Sequence, residues 1–116
     1  MSSNNYIQWN VEAKINSKKH KEISDLIIKM KDYVAKEEPQ TLKYDFYFNE
    51  DKSKLYIKEC YSNNKAALKH LNNFNQFSED FFKNIEILNV NLFGPVNDKI
   101  RSIFGNQNTI FWSKLK

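Results

Sequence analysis

Apolar and polar residues alternate without interruption near the start of the chain. From Ile7 to Ile15, every odd-numbered position is apolar and every even-numbered position is polar. A period of two is typical of a strand that buries one face, so we predict a first strand here. Its inward side carries Trp9 among smaller aliphatic residues.

Two later stretches show the three- and four-residue spacing of amphipathic helices. The first follows Ser17, which we predict as its N-cap, and the pattern ends at Glu38-Pro39. The second begins at Asn63 or Asn64, either of which can cap it, and carries apolar residues toward Phe82. We predict one long helix in each stretch.

The period of two returns in three further segments: Thr41 to Phe48, Leu55 to Tyr61 and Glu86 to Phe93. Residues 49–53 read as a hairpin turn, so the first two of these strands should pair antiparallel. Gly94-Pro95 ends the last strand. The positions predicted to face inward are Leu42, Tyr44, Phe46 and Phe48 on the second strand and Leu88, Val90 and Leu92 on the fourth.

The order strand, helix, strand, strand, helix, strand is that of the ferredoxin-like split βαβ. We therefore predict an α+β domain over residues 1–105, with a four-stranded antiparallel sheet and both helices on one face. Asp98 to Phe104 should form a short helix that Gly105 ends. Residues 106–116 form an apolar tail, which we expect to dock on the partner subunit of a dimer.

The charge, glycine content and cysteine content of the chain exclude several kinds of binding site and partner. The chain has 116 residues and a net charge of +4, with Arg101 as its one arginine, so we expect no nucleic-acid partner. Two glycines leave no phosphate-binding glycine loop. No apolar run reaches membrane-helix length and no secretory signal is visible, so we expect no membrane partner and a cytoplasmic location. Cys60, the single cysteine, excludes an intrachain disulfide.

The inward faces bring one carboxylate and one imidazole together. Helical spacing puts His70 on the buried side of the second helix, facing Glu59 on the third strand. A buried carboxylate needs a partner, so we predict that Glu59 and His70 hydrogen-bond. The pair either locks helix to strand or orients a histidine toward a bound ligand. The strand residues expected beside it are Trp9, Tyr44, Phe46 and Ile57.

Other candidate groups are weaker. Tyr33, Tyr44 and Tyr61 could offer hydroxyl groups to the interior, although aromatic residues at this spacing commonly fill a core. His20 and His70 lack the spacing of a zinc site, and we expect no metal. Cys60 should point to the opposite face of the sheet as an inert side chain.

Three stretches of the chain are similar to motifs of a known family. The stretch from Glu59 to Leu71, ECYSNNKAALKHL, resembles the pattern E-x-[YW]-x-[DS]-x-x-A-x-x-x-H of the antibiotic biosynthesis monooxygenase-like family. Glu38 to Tyr44, EPQTLKY, resembles its E-P-G-T-L-x-Y motif, with Gln40 in place of glycine. Asn91 to Gly94 resembles its closing strand. The resemblance covers residues 7 to 105.

The resemblance implies a homodimer in which two sheets face each other in an α/β barrel, with one pocket in each subunit. It also implies oxygenation of phenols or hydroquinones by O2 without metal, flavin or other cofactor. Glu59 and His70 match the glutamate and histidine of the family motif, and Tyr44 matches its second-strand tyrosine. The residue set of the haem-degrading branch is missing, so we expect no haem.

Three functions follow from these observations. The first is a cofactor-independent monooxygenase that oxidises a small hydroquinone or polyphenol, in which His70 assists deprotonation and Glu59 orients it. Its ring-binding walls would be Trp9, Tyr44, Phe46, Ile57 and Phe74. The second is a non-catalytic dimeric protein that binds a small aromatic ligand. The third, an RNA-binding sheet, is disfavoured because the third strand has only Tyr56 as an exposed aromatic residue.

Overall fold

The computed structural model describes residues 5–105 and 108–115. It contains five strands and three helices in the order that the periodicity indicates, with one strand added at the end. The elements are β1 (Ile7–Ile15), α1 (His20–Glu37), β2 (Thr41–Phe48), β3 (Lys54–Tyr61), α2 (Asn64–Asn84), β4 (Ile85–Phe93), α3 (Asp98–Phe104) and β5 (Thr109–Trp112).

The strands form one sheet in the order β2-β3-β1-β4-β5. The central strand β1 pairs antiparallel with β3 and β4, and β2 pairs antiparallel with β3. These four strands and the two long helices confirm the predicted α+β ferredoxin-like class. Buried residues of α1 and α2 pack with the inward side of β1 in a single core.

The expectation of four strands was incomplete, because β5 extends the sheet. It lies parallel to β4, with Thr109 opposite Val90 and Trp112 opposite Phe93. The crossover between these strands contains α3, as parallel neighbours require. Part of the apolar tail therefore packs on the sheet of its own chain, and Phe111 contributes to the core.

Two bulges alter the predicted strand faces. The pairing of β2 with β3 passes from Thr41–Tyr61 to Lys43–Cys60, so Leu42 is an extra residue and is 50% exposed. The prediction that Leu42 faces inward was wrong for this reason.

In β4 the register shifts in the same way. Asn89 lies opposite Glu12, but Ile87 lies opposite Ala13, so Leu88 is the extra residue. The inward face of β4 therefore consists of Ile87, Val90 and Leu92 rather than Leu88, Val90 and Leu92.

The helix ends differ in how well they were predicted. Asn63 caps α2 by accepting from the Ala66 amide, as expected. The predicted cap Ser17 was wrong: α1 begins at His20 after Lys19, which makes no side-chain cap bond. A turn precedes the helix, with Lys18 at a φ of 62°.

No helix in the described ranges is long and apolar enough to cross a bilayer.

Candidate functional site

A pocket of about 590 Å³ lies between the sheet and the helices α2 and α3. Its interior is mainly aromatic and aliphatic, which is typical of small-molecule sites. All five predicted wall residues and both predicted catalytic residues line it, namely Trp9, Tyr44, Phe46, Ile57, Phe74, Glu59 and His70. The structure thus brings the candidates from β1, β2, β3 and α2 to one cavity.

His70 lies between two carboxylates. Its Nδ1 is 2.9 Å from Oε1 of Glu38, and its Nε2 is 3.3 Å from Oε1 of Glu59. All three residues are buried, with exposed fractions of 4% for His70, 5% for Glu38 and 7% for Glu59. Glu59 and His70 therefore lie close together, but the contact is an ion-pair distance and the predicted hydrogen bond between them is not formed. The imidazole hydrogen-bonds Glu38 instead.

Glu38 is the residue that sequence reasoning missed. From the sequence, Glu38 marks the end of the first helix and begins the EPQTLKY motif, but the prediction pairs His70 with Glu59 alone. The structure corrects this, because Glu38 follows α1 directly and its side chain turns into the core. The signal was available, since Glu38 begins the EPQTLKY motif.

Three donors hold the Glu38 carboxylate. Oε1 accepts from the Thr41 hydroxyl at 2.7 Å and from His70, and Oε2 accepts from the Asn73 amide at 3.0 Å. An ionised carboxylate can only accept, so the Nδ1 of His70 must carry the proton of that bond. The proton that His70 can gain or lose is therefore on Nε2, which faces Glu59.

Glu59 is held from its own strand and from the neighbouring one. The Tyr61 hydroxyl donates to Oε1 from two residues along β3, on the same face. Trp9, directly opposite Glu59 in the β1–β3 register, donates its indole N–H. The period of two predicts that Trp9, Glu59 and Tyr61 lie on the same face of the sheet. These contacts therefore follow from the sequence once the pairing of β1 with β3 is known.

Burial and charge shift the ionisation of this network in different directions. Burial raises the pKa of Glu59, although the His70 charge and the Tyr61 hydrogen bond oppose this. Burial would also raise the pKa of Glu38, but the hydrogen bonds from His70, Asn73 and Thr41 outweigh it and hold that pKa below its ordinary value.

The imidazole shows the opposite balance. Burial alone would lower the pKa of His70, but the hydrogen bond to Glu38 and the charges of both carboxylates raise it. A histidine with a raised pKa is a stronger base in its neutral form. Protonation of Nε2 places an imidazolium between two carboxylates, where it is stabilised.

Aromatic rings enclose the imidazole. Tyr44 packs edge-on against it with ring centroids 4.9 Å apart, and the Tyr61 ring lies at 5.1 Å. Burial and the two nearby carboxylates raise the pKa of Tyr44 well above its ordinary value, so its hydroxyl stays protonated. Phe74 stacks at 6.4 Å on the α2 side. These rings and the two carboxylates surround the imidazole, which is why it is buried.

The remaining candidates lie elsewhere. Tyr33 packs on Phe77 at 5.9 Å and does not line the pocket. His20 is exposed at the start of α1. Cys60 is buried next to Glu59 in the strand, and burial raises the pKa of its thiol. Within residues 5–105 and 108–115, no group of three or more His, Cys, Asp or Glu side chains is arranged to hold a metal ion.

Comparison with known proteins identifies the fold. No family model and no curated protein sequence matches this chain. Among solved structures, MupZ from Pseudomonas fluorescens superposes with a TM-score of 0.84 at 22% identity, over 97% of this chain and 93% of that one.

Two further structures carry family names. A Caulobacter crescentus protein, whose name assigns it to the antibiotic biosynthesis monooxygenases, has a TM-score of 0.70 at 15% identity, over 82% of this chain and 93% of that one. SnoaB, a cofactor-independent oxygenase from Streptomyces nogalater, has a TM-score of 0.67 at 9% identity, over 80% and 95%. The resemblance to this family is confirmed at the level of the fold.

Proposed function

We propose that this protein is a cofactor-independent monooxygenase that oxidises a small hydroquinone or polyphenol with O2. The observation that carries the proposal is the Glu38–His70–Glu59 arrangement in the wall of an aromatic pocket. The fold shared with SnoaB, which is named a cofactor-independent oxygenase, supports it.

The first step is removal of a phenolic proton. Neutral His70, with Nδ1–H held by Glu38, takes the proton on Nε2 and becomes an imidazolium between two carboxylates. Phenols have a pKa near 10, so the raised pKa of His70 brings base and substrate closer together. Oxygen uptake should therefore rise with pH through the pKa of His70 and then level off.

The phenolate supplies all four electrons that O2 accepts. One electron passes to O2, and the resulting superoxide and substrate radicals combine to form a C–O bond at a ring carbon. His70 returns the phenolic proton to the peroxide, and loss of the proton from that ring carbon then breaks the O–O bond and leaves a carbonyl. The second oxygen leaves as hydroxide and takes a proton to form water. For hydroquinone and O2, the products are hydroxybenzoquinone and one water.

The test is oxygen uptake by the purified protein with a panel of hydroquinones and polyphenols. Heat-killed protein controls for autoxidation, and His20→Ala is a matched variant because His20 is exposed and outside the pocket. We expect uptake by the wild type and His20→Ala, and a loss of about 100-fold or more in His70→Ala. Equal uptake in wild type and His70→Ala would remove His70 from the chemistry.

A second candidate is a non-catalytic protein that binds a small aromatic ligand. One observation favours it: in the described part of the chain, no buried side-chain nitrogen or oxygen lacks a hydrogen-bond partner. The charged network is complete without a ligand, as a purely structural network would be. Saturable binding of a hydroquinone without oxygen uptake would support this function over the oxygenase.

We also propose a homodimer that forms through the sheet face opposite the helices. Exposed aromatic residues lie on this face, including Tyr47 at 50% and Trp112 at 48%, among polar residues that would make the interface wet. Sedimentation should give twice the 13.9 kDa chain mass. Tyr47→Lys should weaken the dimer while the chain stays folded. A wild-type monomer would overturn the proposal.

A further inference from the structure

We propose that the ligand carries a carboxylate, which binds Lys99 at the mouth of the pocket. The inference rests on the proposed function, because it concerns the same pocket and names the class of hydroquinone that enters it. The mouth is the exposed part of the lining, and it consists of Asn72, Asn75, Phe82, Lys99 and Ile103.

Charge is separated along the pocket. Glu59 and His70 are buried, whereas Lys99 on α3 is the remaining charged residue of the lining and is exposed. The buried end can exchange a proton with a phenol. The exposed end presents a cation, so a ligand that satisfies both ends has a neutral aromatic ring and an anionic substituent.

Lys99 has no ionic partner in residues 5–105 and 108–115. The salt bridges there join other residues. Ser102 and Ile103, one turn along α3, are neutral, so the helix itself offers no counter-ion in that direction. The ammonium is therefore available to a ligand.

The opposite side of the mouth supplies neutral donors. Asn72 and Asn75 are three residues apart on α2, so they lie on the same side of the helix. Each amide has two N–H groups that can donate hydrogen bonds. A site made of one ammonium and several amide donors favours a ligand with a carboxylate over a ligand with a positive charge. Phe82 and Ile103, both exposed, give an apolar surface for the chain that leads to the carboxylate.

The size of the pocket agrees with such a ligand. A cavity of about 150 Å³ is sufficient to hold benzene. A pocket of about 590 Å³ therefore leaves space beyond a single ring placed against His70 and Glu59. A substituent of several atoms can fill that space and reach the mouth.

The test compares two probes that differ in charge but hardly in shape, a hydroquinone with a butanoate side chain and the corresponding butanamide. Titration calorimetry gives both dissociation constants for each variant. The wild type should prefer the acid by about two- to fivefold, as expected of an exposed ion pair. Lys99→Gln should remove this preference and Lys99→Glu should reverse it.

Lys69→Gln is the matched control, because Lys69 is an exposed lysine of α2 that does not line the pocket. It should keep the wild-type preference for the acid. An unchanged acid-to-amide ratio in Lys99→Glu would overturn the inference, and so would failure of both probes to bind the wild type.

The assay separates this inference from the proposed oxygenase. Selective binding of the acid through Lys99 without oxygen uptake would support the carboxylate site and contradict the oxygenase. Oxygen uptake with no contribution from Lys99 to binding would support the oxygenase and contradict the carboxylate site.

Discussion

Replacing Glu38 by glutamine removes the negative charge next to Nδ1 of His70 and keeps the shape of the Glu38 side chain. The amide oxygen can still accept from the Thr41 hydroxyl and from Nδ1 of His70. Asn73 can rotate its amide to accept from the new NH₂ group in place of donating to Oε2. Glu38→Gln should therefore fold, and its effect should report the charge.

The expected loss follows from the hydrogen bonds of the site. A bond to a charged group contributes about 1.5–3 kcal/mol and a neutral one about 0.5–1.5 kcal/mol. Converting the buried Glu38–His70 contact from charged to neutral should thus lower the free energy of unfolding by about 1–2 kcal/mol. The residues are 5% and 4% exposed, so solvent screening is weak.

The loss should depend on pH. Glu38 has a pKa below its ordinary 4.5, so its stabilising effect is fully present above pH 4.5. His70 has a pKa above its ordinary 6.5, so its contribution is fully present below pH 6.5 and is lost as the pH rises through the folded-state pKa. The difference between wild type and Glu38→Gln should be largest between these two values.

Urea unfolding followed by circular dichroism, at about pH 5.5 and about pH 9, measures this difference. Glu37→Gln is the control, because Glu37 is the exposed neighbouring carboxylate on α1. It should change stability by less than about 0.5 kcal/mol at either pH. A Glu38→Gln loss of the same size at both pH values would refute the reasoning, since His70 would then carry no pH-dependent charge.

Two further substitutions test the surroundings of the site. Tyr61→Phe removes the hydroxyl that donates to Glu59, and we expect unfolding experiments to show a loss of about 1–3 kcal/mol, larger at pH 8 than at pH 5. No loss at pH 8 would mean that the hydroxyl does not stabilise the carboxylate. Gly94→Ala places a Cβ 2.4 Å from the Tyr6 carbonyl oxygen at a φ of +113°, so thermal unfolding should show a loss of about 1–3 kcal/mol. In Gly105→Ala the added Cβ would lie 3.5 Å from the nearest atom, the Ser102 carbonyl oxygen, so stability should hardly change. Equal losses of stability in the two glycine variants would contradict this account.

Periodicity alone determined most of the architecture. The bounds of β1, β2 and α3 agree with the sequence pattern, and the Asn63 cap of α2 was one of two predicted positions. Each of these features depends on residues a few positions apart. The shared inward faces also followed from periodicity, which is why Glu59, His70 and the wall residues could be expected in one interior.

The tertiary structure decided what depends on pairing between distant segments. The strand β5 has four residues and exists because it pairs with β4. At Leu42 and Leu88 one strand carries an extra residue relative to its partner, and no residue type at either position predicts this.

The same distinction applies to the site. The sequence determined that a carboxylate and an imidazole would meet inside the domain, because each lies on the buried face of its own element. The fold decided that a second carboxylate would reach that imidazole, since Glu38 and His70 are 32 residues apart. Local spacing sets which face a side chain occupies. Only the packing of α1 and β2 against α2 determines which side chains then lie within hydrogen-bond distance.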